Sequence, residues 1–184
     1  MSDVVLNMTV SVDGFATGPD EDLERLHRWI FAESAEDAEI MAEFAAEPGA
    51  YVMGMGMFRS GLEPWGDAPP FPHPVFVLSH TEREPLVKPP ATFTFVTGGI
   101  EDAVARARAA AGERDVWVVG GADVCRQALA AGLVGELRLH VAHVLLGDGL
   151  PLFGKLPLPA DLEEVRTVTT PGMTHLTFRV ARNA

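Results

Sequence analysis

Val116-Trp117-Val118-Val119-Gly120-Gly121-Ala122-Asp123-Val124 is the stretch on which the reading of the chain turns. Four consecutive apolar, mostly β-branched residues predict a strand buried on both faces, as in the middle of a parallel sheet. A glycine pair follows at once. From Asp123 the apolar residues return with helical period, with Val124, Cys125, Ala128 and Leu129 on one side and Arg126 and Gln127 on the other. The stretch is therefore strand, tight turn, helix. Without Cβ atoms, Gly120 and Gly121 can take positive φ and let a ligand approach the backbone. The free N–H groups of the helix start would face that ligand, with the positive end of the helix dipole behind them. This suits an anion, most often a phosphate. The same residues also suit a plain strand–helix turn, and they do not spell the GxGxxG dinucleotide fingerprint.

On the amino-terminal side, Leu6, Met8, Val10 and Val12 alternate with Asn7, Thr9 and Ser11, which predicts a half-buried strand ending at Asp13-Gly14. Leu23, Leu26, His27, Ile30 and Phe31 fall at helical spacing behind Asp20, Glu21 and Asp22, acids that suit a helix start. A second helix opens with Ser34 as cap and Asp37 three residues on, carries Ile40, Met41 and Phe44 inward, and stops at Pro48-Gly49. Tyr51-Val52-Met53 is a buried strand running into Gly54, a second strand–glycine junction. Gly61 to Pro74, with five prolines around Trp65, Phe71 and His73, predicts a long loop of the kind packed over a site. Val75 to Leu78 and Thr92 to Thr97 read as strands, and Glu101 to Ala111 as a helix with Val104 and Ala107 inward. After the glycine-pair helix, Leu137 to Leu145 alternates, and Val165 to Thr170 and Leu176 to Val180 read as two closing antiparallel strands. Strands alternating with helices and then a run of strands indicate an α/β sheet with antiparallel additions, in a single domain over 1–184.

In such a sheet ligands lie outside the carboxyl ends of the strands. The loops after Val10-Ser11-Val12, Val52-Met53-Gly54, Val77-Leu78-Ser79 and Val119-Gly120-Gly121 would all arrive at one edge. The text at these places is "SVDGF" from Ser11, "LHRWIF" from Leu26, "VMGMGMF" from Val52 and "WGDAPPF" from Trp65. It continues with "VFVLSH" from Val75, "VVGGADVCRQALAAGLVGEL" from Val118 and "VLLGDGLPLF" from Val144. In order and spacing the set resembles the dihydrofolate reductase-like superfamily, in the branch of the C-terminal reductase domain of riboflavin-biosynthesis deaminase-reductases.

That resemblance implies a three-layer α/β fold, with a central mostly parallel sheet, antiparallel C-terminal strands and helices on both faces. It implies an NADPH-dependent reductase of a small planar heterocycle, similar to 5-amino-6-(5-phosphoribosylamino)uracil reductase or dihydrofolate reductase. Carried over by position, Val119, Gly120, Gly121, Ala122, Asp123 and Val124 would hold the pyrophosphate. Thr9, Ala16 and Thr17 would border the nicotinamide and its ribose. Gly54, Met55, Gly56 and Met57 would lie beside the phosphates, and Ser79, His80 and Thr81 would meet the adenosine 2′-phosphate. Met55 and Met57 stand where the family usually has an arginine and a threonine, so a bidentate phosphate partner is missing. The choice among NADPH, NADH and a flavin or deazaflavin therefore stays open, as does a binding module that has kept the fold without the chemistry. Asp22 is the nearest match to the acid that dihydrofolate reductases carry at the first helix, although Asp20, Glu21 and Asp22 equally suit a solvated helix start. His27, Trp29 and Trp65 are the substrate-side candidates, Trp65 because an exposed ring in a proline loop can stack on a heterocycle. His73 would lie at the same mouth.

Composition narrows the partners. The 184 residues are 47% hydrophobic and carry a formal charge of −12, which opposes nucleic acid and anionic membrane surfaces. No basic segment precedes an apolar core at Met1-Ser2-Asp3-Val4, and no apolar run reaches membrane-spanning length, so a cytoplasmic protein is expected. The one cysteine, Cys125, falls on the apolar side of its helix and reads as a core thiol. The histidines show no metal-ligand spacing, so no metal site is expected. The apolar closing segment Val141 to Phe153 and the resemblance together predict a homodimer.

Overall fold

The run that begins at Val116 forms the middle of the sheet, as its apolar character predicts. In chain order the elements are β1 (Val4–Ser11), β2 (Phe15–Thr17), α1 (Glu24–His27), a 3-10 turn at Arg28–Phe31, α2 (Ala35–Ala46), β3 (Pro48–Gly54) and α3 (Met55–Trp65). They continue with β4 (Val75–Leu78), β5 (Leu86–Lys88), β6 (Ala91–Val96), α4 (Gly99–Ala111), β7 (Asp115–Val118) and α5 (Ala122–Ala130). β8 (Glu136–Ala142), β9 (Leu150–Pro151), β10 (Leu162–Thr170) and β11 (Met173–Val180) complete the chain. This computed structural model describes residues 3–19, 23–31, 34–154 and 160–181.

Nine strands form one sheet in the order β10-β11-β8-β1-β7-β3-β4-β6-β5. From β8 to β6 all neighbours are parallel. β10 and β11 add antiparallel at one edge and β5 at the other. On one face α4 and α5 cover Val4, Leu6, Val52 and Val118. On the other, Val5, Tyr51, Met53, Val77 and Trp117 pack with Phe58 of α3 and Phe44 of α2. Strands covered on both sides carry apolar residues at every position, which is why β3 and β7 read as unbroken runs. Cys125 is fully buried among the α5 core residues, and burial pushes its thiol up to about 12. Among the described residues no helix is long and apolar enough to cross a membrane.

Several sequence expectations are corrected. β1 is buried on both faces, with Val5 and Ser11 as covered as Leu6, because β7 and β8 flank it and helices lie on either side. Val12 lies past its end and is exposed. On the first helical segment Leu26 and Trp29 face inward, whereas Phe31 is 84% exposed, because the chain tightens to 3-10 geometry after His27 and rotates the apolar stripe. Pro48-Gly49 does not only end α2; it opens β3. α3 continues to Trp65 with Pro64 inside it, so the loop begins at Gly66. Trp65 is therefore no loop residue, but sits edge-on to Phe71 at 5.1 Å and stacked on Phe93 at 6.1 Å.

Candidate cofactor and substrate site

The two strand–glycine junctions meet. Gly54 ends β3 and Gly120 follows β7, and the Gly54 amide donates to the Gly120 carbonyl at 2.7 Å. A Cβ on Gly54 would lie 2.9 Å from Val124 Cγ2 and 3.4 Å from the Gly121 nitrogen, so the junctions approach as closely as glycine permits. Gly120 has φ of +134° and is joined to Gly121 by a cis peptide bond. Gly121, by contrast, has φ −75° and ψ −178°, extended backbone open to any residue. The expectation of positive φ at both glycines thus holds for Gly120 alone. Nothing lies within 4 Å of where a Cβ on Gly121 would be, so neither backbone nor packing within the chain requires glycine there. That open side stands at the start of α5, whose first amides are free to meet an anion.

Methionines line this cradle. A Cβ on Gly120 would fall 2.7 Å from Met57 Sδ and 3.5 Å from Met8 Sδ. Met55 and Met57 pack against the core with Trp65 and Leu62 and bring no charge to the site. Asp123, in the first turn of α5, is approached by Arg126 at 3.7 Å and accepts from Gln127 Nε2 at 2.7 Å. Arg126 itself donates to the Pro151 carbonyl at 2.7 Å. The backbone therefore fits a pyrophosphate, while the side chains supply few cations.

The other carried-over positions lie along the same edge. Ser79 follows β4, two strands from β7, and its hydroxyl donates to the Thr81 carbonyl at 2.7 Å while accepting from the Thr81 amide at 3.2 Å. This local turn presents His80 to solvent. Arg83, nearby, stands 5.8 Å over the Phe95 ring. Ala16 is buried in β2 and Thr17 pairs with Leu150 of β9, so the segment after β1 is tied to the chain before Phe153. Asp13, between them, accepts from the Ser11 hydroxyl and from the Leu146 and Gly147 amides, and these hydrogen bonds hold its carboxyl below the ordinary value.

Across β1 from the cradle, the carboxyl end of β8 opens on a cavity of about 430 Å³ lined, among the described residues, by Arg25, Arg28, Trp29, Ala142, His143 and the β10–β11 turn. Trp29, one of the three substrate-side candidates, forms its wall and donates from Nε1 to Thr9 Oγ1 at 3.4 Å. Thr9 thus connects the two halves of the edge. His27 does not line the cavity; it is half-buried on α1, and burial pushes its imidazole below the usual range. Trp65 lies at the far end of α3, some 15 Å along the helix from Gly54 at 1.5 Å per residue, and its ring is committed to the aromatic core. His73 precedes β4 at the amino-end edge, where Arg114 reaches its Nε2 at 2.7 Å. It is removed from the mouth for that reason. Asp22 lies outside the described residues.

Sequence reading missed four side chains. Asp37, Thr170, His140 and His175 form a buried hydrogen-bonded chain beneath Trp29. The only sequence signal was polar residues facing inward on alternating strands β8 and β11.

The RibD C-terminal domain family matches residues 2–176. The chain belongs to that family. Solved structures agree on the fold. A Shewanella sp. PV-4 protein named for riboflavin biosynthesis superposes with a TM-score of 0.77 at 24% identity, covering 99% of this chain and 100% of that one. The Thermotoga maritima diaminohydroxyphosphoribosylaminopyrimidine deaminase/5-amino-6-(5-phosphoribosylamino)uracil reductase gives 0.69 at 13% identity, covering 98% of this chain and 57% of its own length. Dihydrofolate reductase from Enterococcus faecalis, in complex with NADP(H), gives 0.64 at 14% identity over 98% of this chain and 97% of that one. In sequence, the uncharacterized protein YyaP of Bacillus subtilis strain 168 is 39% identical over 56 residues, a match spanning 30% of each chain. The fold is that of dihydrofolate reductase.

Proposed function

We propose that this RibD C-terminal family member is a nicotinamide-dependent reductase of a small planar heterocycle such as a pterin or a ribosylaminopyrimidine. The observation that carries this reading is the open side of Gly121 at the start of α5, beside Gly54, on the strand-end edge where the Trp29 cavity opens one strand beyond β1. Gly120, Gly121 and the amides of Ala122, Asp123 and Val124 would hold the pyrophosphate, with Val119 behind them. Thr9, Ala16 and Thr17 would border the nicotinamide, and Ser79, His80 and Thr81 the 2′-phosphate of NADPH. A bound nicotinamide supplies a hydride, and the protein's part is to hold that donor against the substrate ring and keep water out. Met55 and Met57, uncharged where the family usually has an arginine and a threonine, favour a second reading, a binding module that has kept the fold without the redox chemistry. A flavin or deazaflavin carrier in the same cleft is the other alternative.

Calorimetric titration with NADPH, NADH and FMN decides between these readings. Binding of NADPH that is lost in Gly121→Val supports the nicotinamide reading. FMN binding without NADPH binding replaces it with the flavin one, and no binding of any leaves a module without redox chemistry. In its working form we take the protein to be a cytoplasmic homodimer with no nucleic-acid or membrane partner.

A further inference from the structure

Asp37 enters the fold as the third residue of α2, after a Ser34 hydroxyl that accepts from the Asp37 amide at 3.2 Å. Its side chain turns under the helix and is 1% exposed. One carboxylate oxygen, Oδ1, accepts from the Thr170 hydroxyl at 2.8 Å and lies 3.0 Å from His175 Nε2. The other, Oδ2, is buried without a partner among the described residues. His175 of β11 stands directly opposite His140 of β8, and their Nδ1 atoms are 2.8 Å apart. Only one arrangement of neutral rings satisfies these contacts. His175 donates from Nε2 to Asp37, so its Nδ1 accepts, and His140 donates from Nδ1. Burial pushes both imidazoles below the ordinary range, His140 to about 3, which keeps the pair neutral at physiological pH.

A buried polar chain of this kind stabilises less than a well-packed apolar cluster would, so its value lies in orientation. What it orients is Trp29. The indole packs on both rings, tilted 33° to His140 at 4.9 Å between centroids and edge-on to His175 at 65° and 5.1 Å. It also walls the 430 Å³ cavity and reaches Thr9 at the end of β1. The contacts lead without a break from Asp37 through His175 and His140 to Trp29.

We propose that Asp37, His175 and His140 are positioning residues that set the imidazole platform on which Trp29 rests, and through Trp29 fix the wall of the substrate cavity. The assignment of that cavity to the substrate rests on the reductase reading. The platform itself does not.

Asp37→Leu removes the acceptor and leaves the His175 Nε2–H bond unmade, freeing both rings to turn. Asp37→Asn keeps an acceptor of the same shape at Oδ1. Thr170 also lies 3.4 Å from His175 Nε2, so the control for general loosening is Tyr51→Phe, which removes the hydroxyl that donates to the Phe44 carbonyl at 2.7 Å in the other core cluster. Acrylamide quenching and emission of Trp29, taken as the difference between each protein and its Trp29→Phe counterpart, are read without any ligand. The expected result is a severalfold rise in Trp29 quenching in Asp37→Leu, rescue in Asp37→Asn, and no change in Tyr51→Phe despite a lower Tm. His140→Gln repeats the test where Asp37→Leu does not fold. Unaltered Trp29 quenching in a folded Asp37→Leu or His140→Gln overturns the proposal, as does an equal rise in Tyr51→Phe. With 7,8-dihydrofolate as probe, Asp37→Leu should bind about two- to tenfold more weakly, the loss of one stacking contact, with NADPH affinity unchanged. Failure of the wild type to bind this probe tells against the substrate class and leaves the quenching result to decide the platform.

Discussion

Gly120 and Gly121 are adjacent, yet substitution of each should fail in a different way. Gly120 holds φ of +134°, a region that costs a residue with a side chain about 1–3 kcal/mol. Its new methyl would also meet Met57 Sδ at 2.7 Å, a contact that a flexible thioether relieves by moving. Gly120→Ala should therefore lower stability by about 1–3 kcal/mol, and Tm falls by about 2–4 °C per kcal/mol in a domain of this size. Gly121 has φ −75° and empty space at its Cβ, so Gly121→Ala should leave the folded chain as stable as before, or raise stability by about 0.4–1 kcal/mol through the unfolded state. The methyl would instead stand in front of the first α5 amides and weaken NADPH. Thermal unfolding and calorimetric titration of the two variants read the two effects separately. Loss of stability in Gly121→Ala, or NADPH affinity unchanged by it, would show that the open side of Gly121 is not where a ligand lies.

Acid should destabilise the protein through His140. Its imidazole is held at about 3 in the folded state against an ordinary 6.5, so the unfolded chain binds the proton first. Stability is full above about pH 6.5 and declines towards about pH 3; at pH 5 the loss from this residue is about 2 kcal/mol, and His175, also lowered, adds in the same direction. Urea unfolding at pH 7 and pH 5 checks this, and equal midpoints would refute it. His80→Ala should weaken NADPH while leaving NADH unchanged, because the exposed ring follows β4 into the corner assigned to the 2′-phosphate; equal changes for both would move that role to Arg83. Light scattering should give twice the 19.7 kDa of one chain, and a monomer mass would remove the homodimer.

Hydrophobic period made most of the sheet legible. β3, β4 and β7 are unbroken apolar runs because helices cover both their faces, and β11 alternates because its two faces differ. Period alone misplaced β1, since Asn7, Thr9 and Ser11 suggest a solvated face. Two of them are taken up near the strand end instead: Thr9 accepts from the Trp29 indole and Ser11 from the Phe15 amide. Proline content misled at Trp65. A proline is tolerated where the helix is about to end, and Pro64 falls in the last turn of α3. The glycine pair marked the turn after β7, but only Gly120 holds positive φ, and the local pattern does not tell the two glycines apart.

The substrate side shows a harder limit. Ser34 followed by Asp37 reads as a capping box, and the Asp37 amide does take the cap bond. A capping carboxylate turns back to the helix start, whereas this one turns down to Thr170 and His175, residues 133 and 138 positions away. Nothing within four residues distinguishes the two. The distinction comes from β10 and β11, whose antiparallel pairing beside β8 brings a hydroxyl and an imidazole to the underside of α2. Asp37 touches no part of the cavity itself, and its reach extends through two imidazoles to an indole. A carboxylate so placed cannot hand a proton to a substrate directly, but it can decide where the wall stands against which the substrate's ring would lie.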